Sequence, residues 1–308
     1  MEKLVDRYGR EIRSLRFSVT RRCNLRCFYC HNEGEPSDSK NEMSAEIISA
    51  IVSVALKHFG VRKVKFSGGE PLMRSDIVDI ITSLPEGLSD VSMTTNGVLL
   101  RRYAKELAAA GLRRVNVSLD TLNEEKYNFI TRTKGNFQKV LDGIFAAVDA
   151  GLRPVKLNMV LLRGINDDEV PEMIEFVREC GGSESGAVKL QLIELLNFNG
   201  SLGEYVVDLS KVEKWLRSAA SVVVTRKLHR RRVYVVDGVG VEVVRPMDNT
   251  EFCKNCTRLR VTADGRLKPC LLRNDNLVPV NSTDEEEIIN KLKLAVSLRA
   301  PFYATQSK

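Results

Sequence analysis

The chain has 308 residues, with 47 Lys and Arg against 40 Asp and Glu and a formal net charge of +7. That length suits an α/β barrel, with or without a small added domain. No apolar run approaches the roughly 18 residues that span a bilayer, and the charged start Met1–Gly9 lacks a signal-peptide core. A cytoplasmic protein without a membrane partner is expected. The positive balance fits nucleic acid, an anionic small molecule or a solvated surface, and net charge alone does not choose among them.

Strand and helix signals alternate from the start. Strands are expected at Leu15–Val19, Lys63–Ser67, Asp90–Thr94, Arg114–Leu119, Pro154–Val160 and Ala187–Ile193. Helical patterns lie between them at Ser44–Phe59, Ser75–Ser83, Tyr103–Ala110, Phe137–Ala150 and Asp168–Cys180. Gly60, Gly111 and Gly151 stand where C-cap glycines belong, and Ser44 reads as a helix start. This βα repeat argues for a parallel sheet.

The strands alternate apolar and polar residues. Leu15, Phe17 and Val19 oppose Arg16 and Ser18, and Val64 and Phe66 oppose Lys63, Lys65 and Ser67. The same holds for Ser92 and Thr94, for Asn116 and Ser118, for Lys156 and Asn158, and for Lys189 and Gln191. A sheet covered on both faces would be apolar on both, and a complete (β/α)₈ barrel fills its interior with Val, Ile and Leu. The pattern instead predicts a curved, open six-stranded barrel with helices outside and a wet, cationic interior.

After Leu192 the pattern changes. A helix is expected at Ser210–Ala219, then strands at Val222–Thr225, Arg232–Val236 and Val239–Val244, with a hairpin turn at Asp237–Gly238. A final helix is expected at Asp284–Leu298. A domain change is placed near residue 220, giving a core of 1–220 and a C-terminal region of 221–308.

The seven cysteines cluster as Cys23, Cys27 and Cys30, then Cys253, Cys256 and Cys270, with Cys180 alone at a helix end. In a reducing compartment such clusters suggest metal ligands, while Cys180 reads as structural. Three thiolates directly after a strand hold a [4Fe–4S] cube with one iron left open. Zinc would want a fourth ligand. His31 adjoins Cys30, an awkward spacing for one tetrahedral ion, and free thiols are the remaining option. The distal triad also lacks a clear fourth ligand, with His229 the nearest histidine in sequence. A second open cube is favoured there over zinc. Arg26, Arg74, Arg113 and Arg230–Arg232 read as ordinary surface charges.

The first cysteine loop, with Tyr29 before its last cysteine, resembles the signature of the radical S-adenosylmethionine (SAM) enzymes. Ser67–Arg74, Thr94–Leu100, Ala110–Asp120, Gly164–Asp168 and Cys256–Arg260 extend the likeness to the GTP 3′,8-cyclases of molybdenum cofactor biosynthesis. The resemblance implies an α/β fold, a partial (β/α)₆ radical SAM barrel with a C-terminal auxiliary cluster domain. It implies two [4Fe–4S] clusters and SAM as cofactors, and conversion of GTP to (8S)-3′,8-cyclo-7,8-dihydroguanosine 5′-triphosphate. By motif match, Tyr29, Gly69, Ser118 and Leu196 would contact SAM. Arg16, Lys65, Thr94, Lys156, Arg258 and Arg260 would contact GTP, with Arg258 and Arg260 also counted as catalytic beside the cysteines. Implied partners are an electron donor and the downstream cyclic pyranopterin monophosphate synthase. A homodimer is allowed and no stable nucleic-acid complex is expected.

Leu196 replaces the family's usual methionine, and Gln191 stands where many relatives carry arginine. The last residues, Ala304–Lys308, differ from the Gly-Gly ending of many members. The alternative readings are a peptide-modifying radical SAM enzyme with an auxiliary cluster, and a nucleic-acid-binding zinc module.

Overall fold

A computed structural model of the chain describes residues 2–35, 41–182, 186–197, 200–226, 228–246 and 250–302. The expected departure at 304–308 lies outside the described residues. Period-two alternation produces β1 (Ser14–Ser18), β2 (Lys63–Ser67), β3 (Asp90–Thr95), β4 (Arg114–Ser118), β5 (Val155–Val160) and β6 (Val188–Ile193). Each pairs in parallel with the next.

The crossovers are helical: α1 (Ala45–Phe59), α2 (Ile77–Thr82), α3 (Leu100–Ala109), α4 (Glu124–Thr131), α5 (Phe137–Asp149) and α6 (Val170–Val177). Ser44 caps α1 by accepting from the Ile47 amide, and Gly60 closes the helix in the left-handed region at φ 65°. Helix α4 was not expected. It has only eight residues and buries Tyr127, Ile130 and Thr131, too few for a periodic signal. Its cap, Asn123 accepting from the Lys126 amide, is the local mark it leaves.

The C-terminal third forms α7 (Leu209–Ala219), β7 (Val222–Thr225), β8 (Arg232–Val236), β9 (Val239–Val244), α8 (Thr250–Lys254), β10 (Arg258–Val261), β11 (Arg266–Lys268), β12 (Val278–Pro279) and α9 (Glu285–Ser297). Asp237 and Gly238 both take positive φ, as a two-residue hairpin turn requires. Strand β9 pairs in parallel with β6, and β10 in parallel with β1. The C-terminal strands therefore extend both edges of the six-stranded core. The result is one sheet ordered β12-β11-β10-β1-β2-β3-β4-β5-β6-β9-β8-β7, running unbroken past residue 220.

The apolar face packs under the helices. Leu15, Phe17, Val64, Phe66, Val117, Leu157 and Leu192 are buried in one continuous core. Cys180 is buried there too, with a free thiol. Among the described residues, no helix is long and apolar enough to cross a membrane.

Candidate active site

The opposite face of the sheet lines a cavity of about 780 Å³. That volume suits small-molecule ligands. Arg16 comes to it from β1, Lys65 from β2, Thr94 from β3, Ser118 from β4 and Lys156 from β5, on the polar face the alternation defines. Leu196 borders it after β6, and Cys23, Cys27, Tyr29 and Cys30 after β1. Cys253, Cys256, Arg258, Arg260 and Cys270 border it from the C-terminal segments. Residues more than 200 positions apart in sequence thus face one space.

The proximal triad sits on a loop gripped by the segment after β2. The Gly69 amide donates to the Thr20 carbonyl at 2.7 Å, and the Glu70 amide to the Arg22 carbonyl at 2.8 Å. A Cβ on residue 69 would stand 2.3 Å from the Arg22 carbonyl oxygen, so this contact alone requires glycine. Glu70 is fully buried and accepts from the Leu72 and Asn96 amides and the Thr95 hydroxyl. Burial nevertheless pushes its carboxyl up to about 7. Asn96 in turn directs its side-chain amide toward Cys23 Sγ at 3.7 Å and Asn24 Oδ1 at 2.7 Å. The Tyr29 hydroxyl donates to Asp120, whose carboxyl burial raises to about 6.

Burial also raises the thiol pKa of Cys23, Cys27 and Cys30, so without a metal these thiols hold their protons. Binding of iron would displace them. Among the described residues, no three His, Cys, Asp or Glu side chains converge on a single-ion site. Thiolates that each take a different iron of a cube need not converge. The soft donors, the open cavity in front of them and the amide donors around Cys23 fit a [4Fe–4S] cluster. The same donor set recurs at Cys253, Cys256 and Cys270.

Another part of the cavity wall is cationic. Arg16 and Arg260 are register partners on adjacent parallel strands, and Ser14 partners Arg258. Glu33 bridges the first pair, accepting from Arg16 Nη2 at 2.6 Å and Arg260 Nη1 at 2.8 Å. Burial opposes its ionisation, but Arg16 and Arg260 outweigh that and hold the carboxyl down at about 2. Lys65 Nζ donates to Asn116 Oδ1 at 2.8 Å. Burial, then the neighbouring Arg231, Arg16 and Arg260, lowers the pKa of Arg258 well below its ordinary value. Such a cation lacks compensation that an anionic ligand would supply.

A second buried carboxylate, Glu242, lies beside Lys156. It accepts from Lys156 Nζ at 2.8 Å and Gln191 Nε2 at 2.7 Å, and pairs with Arg226 and Arg231. Burial opposes its charge, yet Arg231, Lys156 and Arg226 keep it ionised, at about 2. Lys156 is itself brought down to about 8, chiefly by burial. Gln191, in the place of a common arginine, is used here as a neutral donor.

Two expectations need correction. Arg74 is not a surface charge: it is buried, donating to the Val19 carbonyl and to Asp76. Arg231 is also buried and borders the cavity, because the turn before β8 folds inward over Glu242. Arg26, Arg113, Arg230 and Arg232 are exposed as expected. Sequence reasoning missed Glu33, Glu242 and the burial of His229. Glu242 left a signal, an acid inside the apolar run of β9. Glu33 left none. His229 stacks on Phe252 at 3.7 Å between ring centroids, and neither ring nitrogen has a partner among the described residues.

The family described as Radical SAM superfamily matches residues 17–177, and the one described as Molybdenum Cofactor Synthesis C matches residues 188–304. A Methanosarcina acetivorans protein called a probable GTP 3′,8-cyclase is 57% identical over 97% of this chain and 90% of its own. One of the same name from Archaeoglobus fulgidus is 49% identical over 97% and 99%. Among solved structures, Streptococcus suis SuiB bound to S-adenosylmethionine aligns with a TM-score of 0.66 at 16% identity, over 88% of this chain and 62% of that one. AnSMEcpe with bound AdoMet aligns at 0.61 and 18%, over 91% and 79%. These structural likenesses establish the shared fold. Full-length identity to the cyclases goes further: the chain belongs to the GTP 3′,8-cyclase family of the radical SAM superfamily.

Proposed function

We propose that this chain converts GTP to (8S)-3′,8-cyclo-7,8-dihydroguanosine 5′-triphosphate, the first step of molybdenum cofactor biosynthesis. One observation carries the reading: two cysteine triads and the side chains of Arg16, Lys65, Lys156, Arg258 and Arg260 border a single cavity. In this reading Cys23, Cys27 and Cys30 hold one [4Fe–4S] cluster, and Cys253, Cys256 and Cys270 hold a second. When bound, the proximal cluster and SAM supply the one-electron hydrogen abstraction that starts the chemistry at the ribose.

The chain's own residues bind and orient. Tyr29, Gly69, Ser118 and Leu196 line the SAM side. Arg16, Lys65, Thr94, Lys156, Arg258 and Arg260 receive the nucleotide, where convergent guanidinium and ammonium groups match a triphosphate. Holding the ribose and base of one molecule in a fixed mutual geometry favours ring closure within it over reaction with solvent. Residues 1–220 are assigned to the barrel and 221–308 to the auxiliary-cluster and nucleotide region. An external electron donor is required.

Peptide modification is the rival reading, and solved structures with this fold include SuiB bound to its precursor peptide SuiA. The cationic wall favours a polyanion instead. The deciding experiment is anaerobic reconstitution with iron and sulfide, followed by SAM, dithionite and GTP. About eight irons per chain, as two cubes require, and 5′-deoxyadenosine formation that depends on GTP are expected. Iron for a single cube, or turnover indifferent to GTP, would refute the proposal.

A further inference from the structure

Resting on the GTP reading above, we infer that Glu33 is a positioning residue for the nucleotide: it clamps Arg16 and Arg260 side by side so that their remaining N–H groups meet a phosphate. Arg16 and Arg260 are neighbours across the β1–β10 register and repel each other. Left alone, two long side chains of like charge would splay apart. Each gives one terminal nitrogen to a different oxygen of Glu33, and Arg16 Nε is held by Ser67 Oγ at 3.1 Å. No hydrogen bond to a described residue engages Arg16 Nη1, or Nε and Nη2 of Arg260. The Arg16 and Arg260 side chains keep 17% and 13% exposure and border the cavity, so these unused N–H groups are open to a ligand there. A guanidinium is a planar fork, so fixing one nitrogen fixes where the others point.

The backbone supports the same role. Asn32, Glu33 and Gly34 take three successive left-handed conformations, at φ 47°, 52° and 64°. L-residues with side chains pay for that geometry, and such strain persists only where the surroundings enforce it. Here the C-terminal strands enforce it. Lys268 Nζ donates to the Gly34 carbonyl at 2.8 Å, and the Ala263 amide donates to the Glu35 carboxylate at 3.3 Å. A Cβ at residue 34 would lie 2.2 Å from the Leu271 carbonyl oxygen. The turn that presents Glu33 is therefore fixed from the distal side, beside Cys270. The strained turn ties the loop after the proximal cysteines to the strand that carries Arg260.

The test uses the reconstituted holoenzyme, as wild type, Glu33→Gln and Glu33→Asp, in anaerobic calorimetric titrations with GTP, inorganic triphosphate and SAM. Glu33→Gln is expected to bind GTP and triphosphate about ten- to a hundredfold more weakly, the scale of charge-assisted hydrogen bonds lost from a preset pair. Glu33→Asp should recover part of that loss. Iron content and SAM affinity should stay at wild-type values, and in turnover KM for GTP should rise more than kcat falls. Unchanged or tighter triphosphate binding in Glu33→Gln overturns the inference, because Glu33 would then only occupy the anion's place. Loss of iron or of SAM affinity overturns it as well, since the residue would be holding the cysteine loop. If wild type binds triphosphate but not GTP, the cyclase reading fails while the triphosphate arm still judges Glu33.

Discussion

Two parts of the cavity wall hold their ionisable groups in opposite ways. Near Cys23, Cys27 and Cys30, burial dominates: Glu70 and Asp120 are pushed up to about 7 and about 6, and the thiols rise as well. Near Arg16, Lys156 and Arg260, cations dominate: Glu33 and Glu242 stay ionised at about 2. The difference lies in the neighbours: desolvation without nearby cations raises Glu70 and Asp120, while Arg and Lys hold Glu33 and Glu242 down. One end concentrates acidic groups, which suit a sulfonium ligand. The other concentrates Arg and Lys, which suit a triphosphate. The acidic and the cationic groups line one chamber, and they approach each other where Glu33 follows Cys30 in the chain.

The sharpest way to break that contrast is to remove one cysteine from each end. Cys27→Ala should lower iron from about eight to about four per chain and abolish 5′-deoxyadenosine formation. Cys256→Ala should lose the same iron yet keep SAM binding, while losing product formation from GTP. Iron assays with chromatographic product analysis read both. Loss of SAM binding in Cys256→Ala would mean that the ends are not separate.

A smaller effect is expected at the cationic end alone. Arg258→Ala should weaken GTP binding about a hundredfold, on the scale of a lost charge-assisted contact in a buried site, with both clusters retained. Calorimetric titration checks it, and unchanged affinity would remove Arg258 from the nucleotide site.

The smallest expected effect is a pH dependence. Lys156 is lowered to about 8, so it is charged below that pH and neutral above it. GTP affinity should fall about three- to tenfold as pH rises through 8, as one cation is lost from a partly screened site. Lys156→Arg, which keeps its charge, should flatten the profile. Binding measured from pH 7 to pH 9 decides this. A wild-type profile as flat as the variant's would assign the Lys156 charge to Glu242 alone.

Much of this site was legible along the chain. Period-two alternation is local, so it put Arg16, Lys65, Thr94, Ser118 and Lys156 on one face before any tertiary contact was known. Cysteine spacing is equally local, and both triads border the cavity. What stayed hidden depends on chain closure. Strands β9 and β10 join opposite edges of the core because distant segments find open hydrogen-bonding edges there, and no local pattern encodes that. Arg231 reads as exposed because it stands in a run of basic residues, yet its partner Glu242 lies on β9.

The sequence by itself determined the strand faces, the helical crossovers and the two sulfur triads, since each follows from residue type at short spacing. Tertiary structure decided which arginines become neighbours, which carboxylates they share and why a left-handed turn is tolerated at residues 32–34. The reason is that a buried charge is settled by whatever surrounds it in space. Those surroundings come here from residues more than 200 positions apart, such as Glu33 and Arg260.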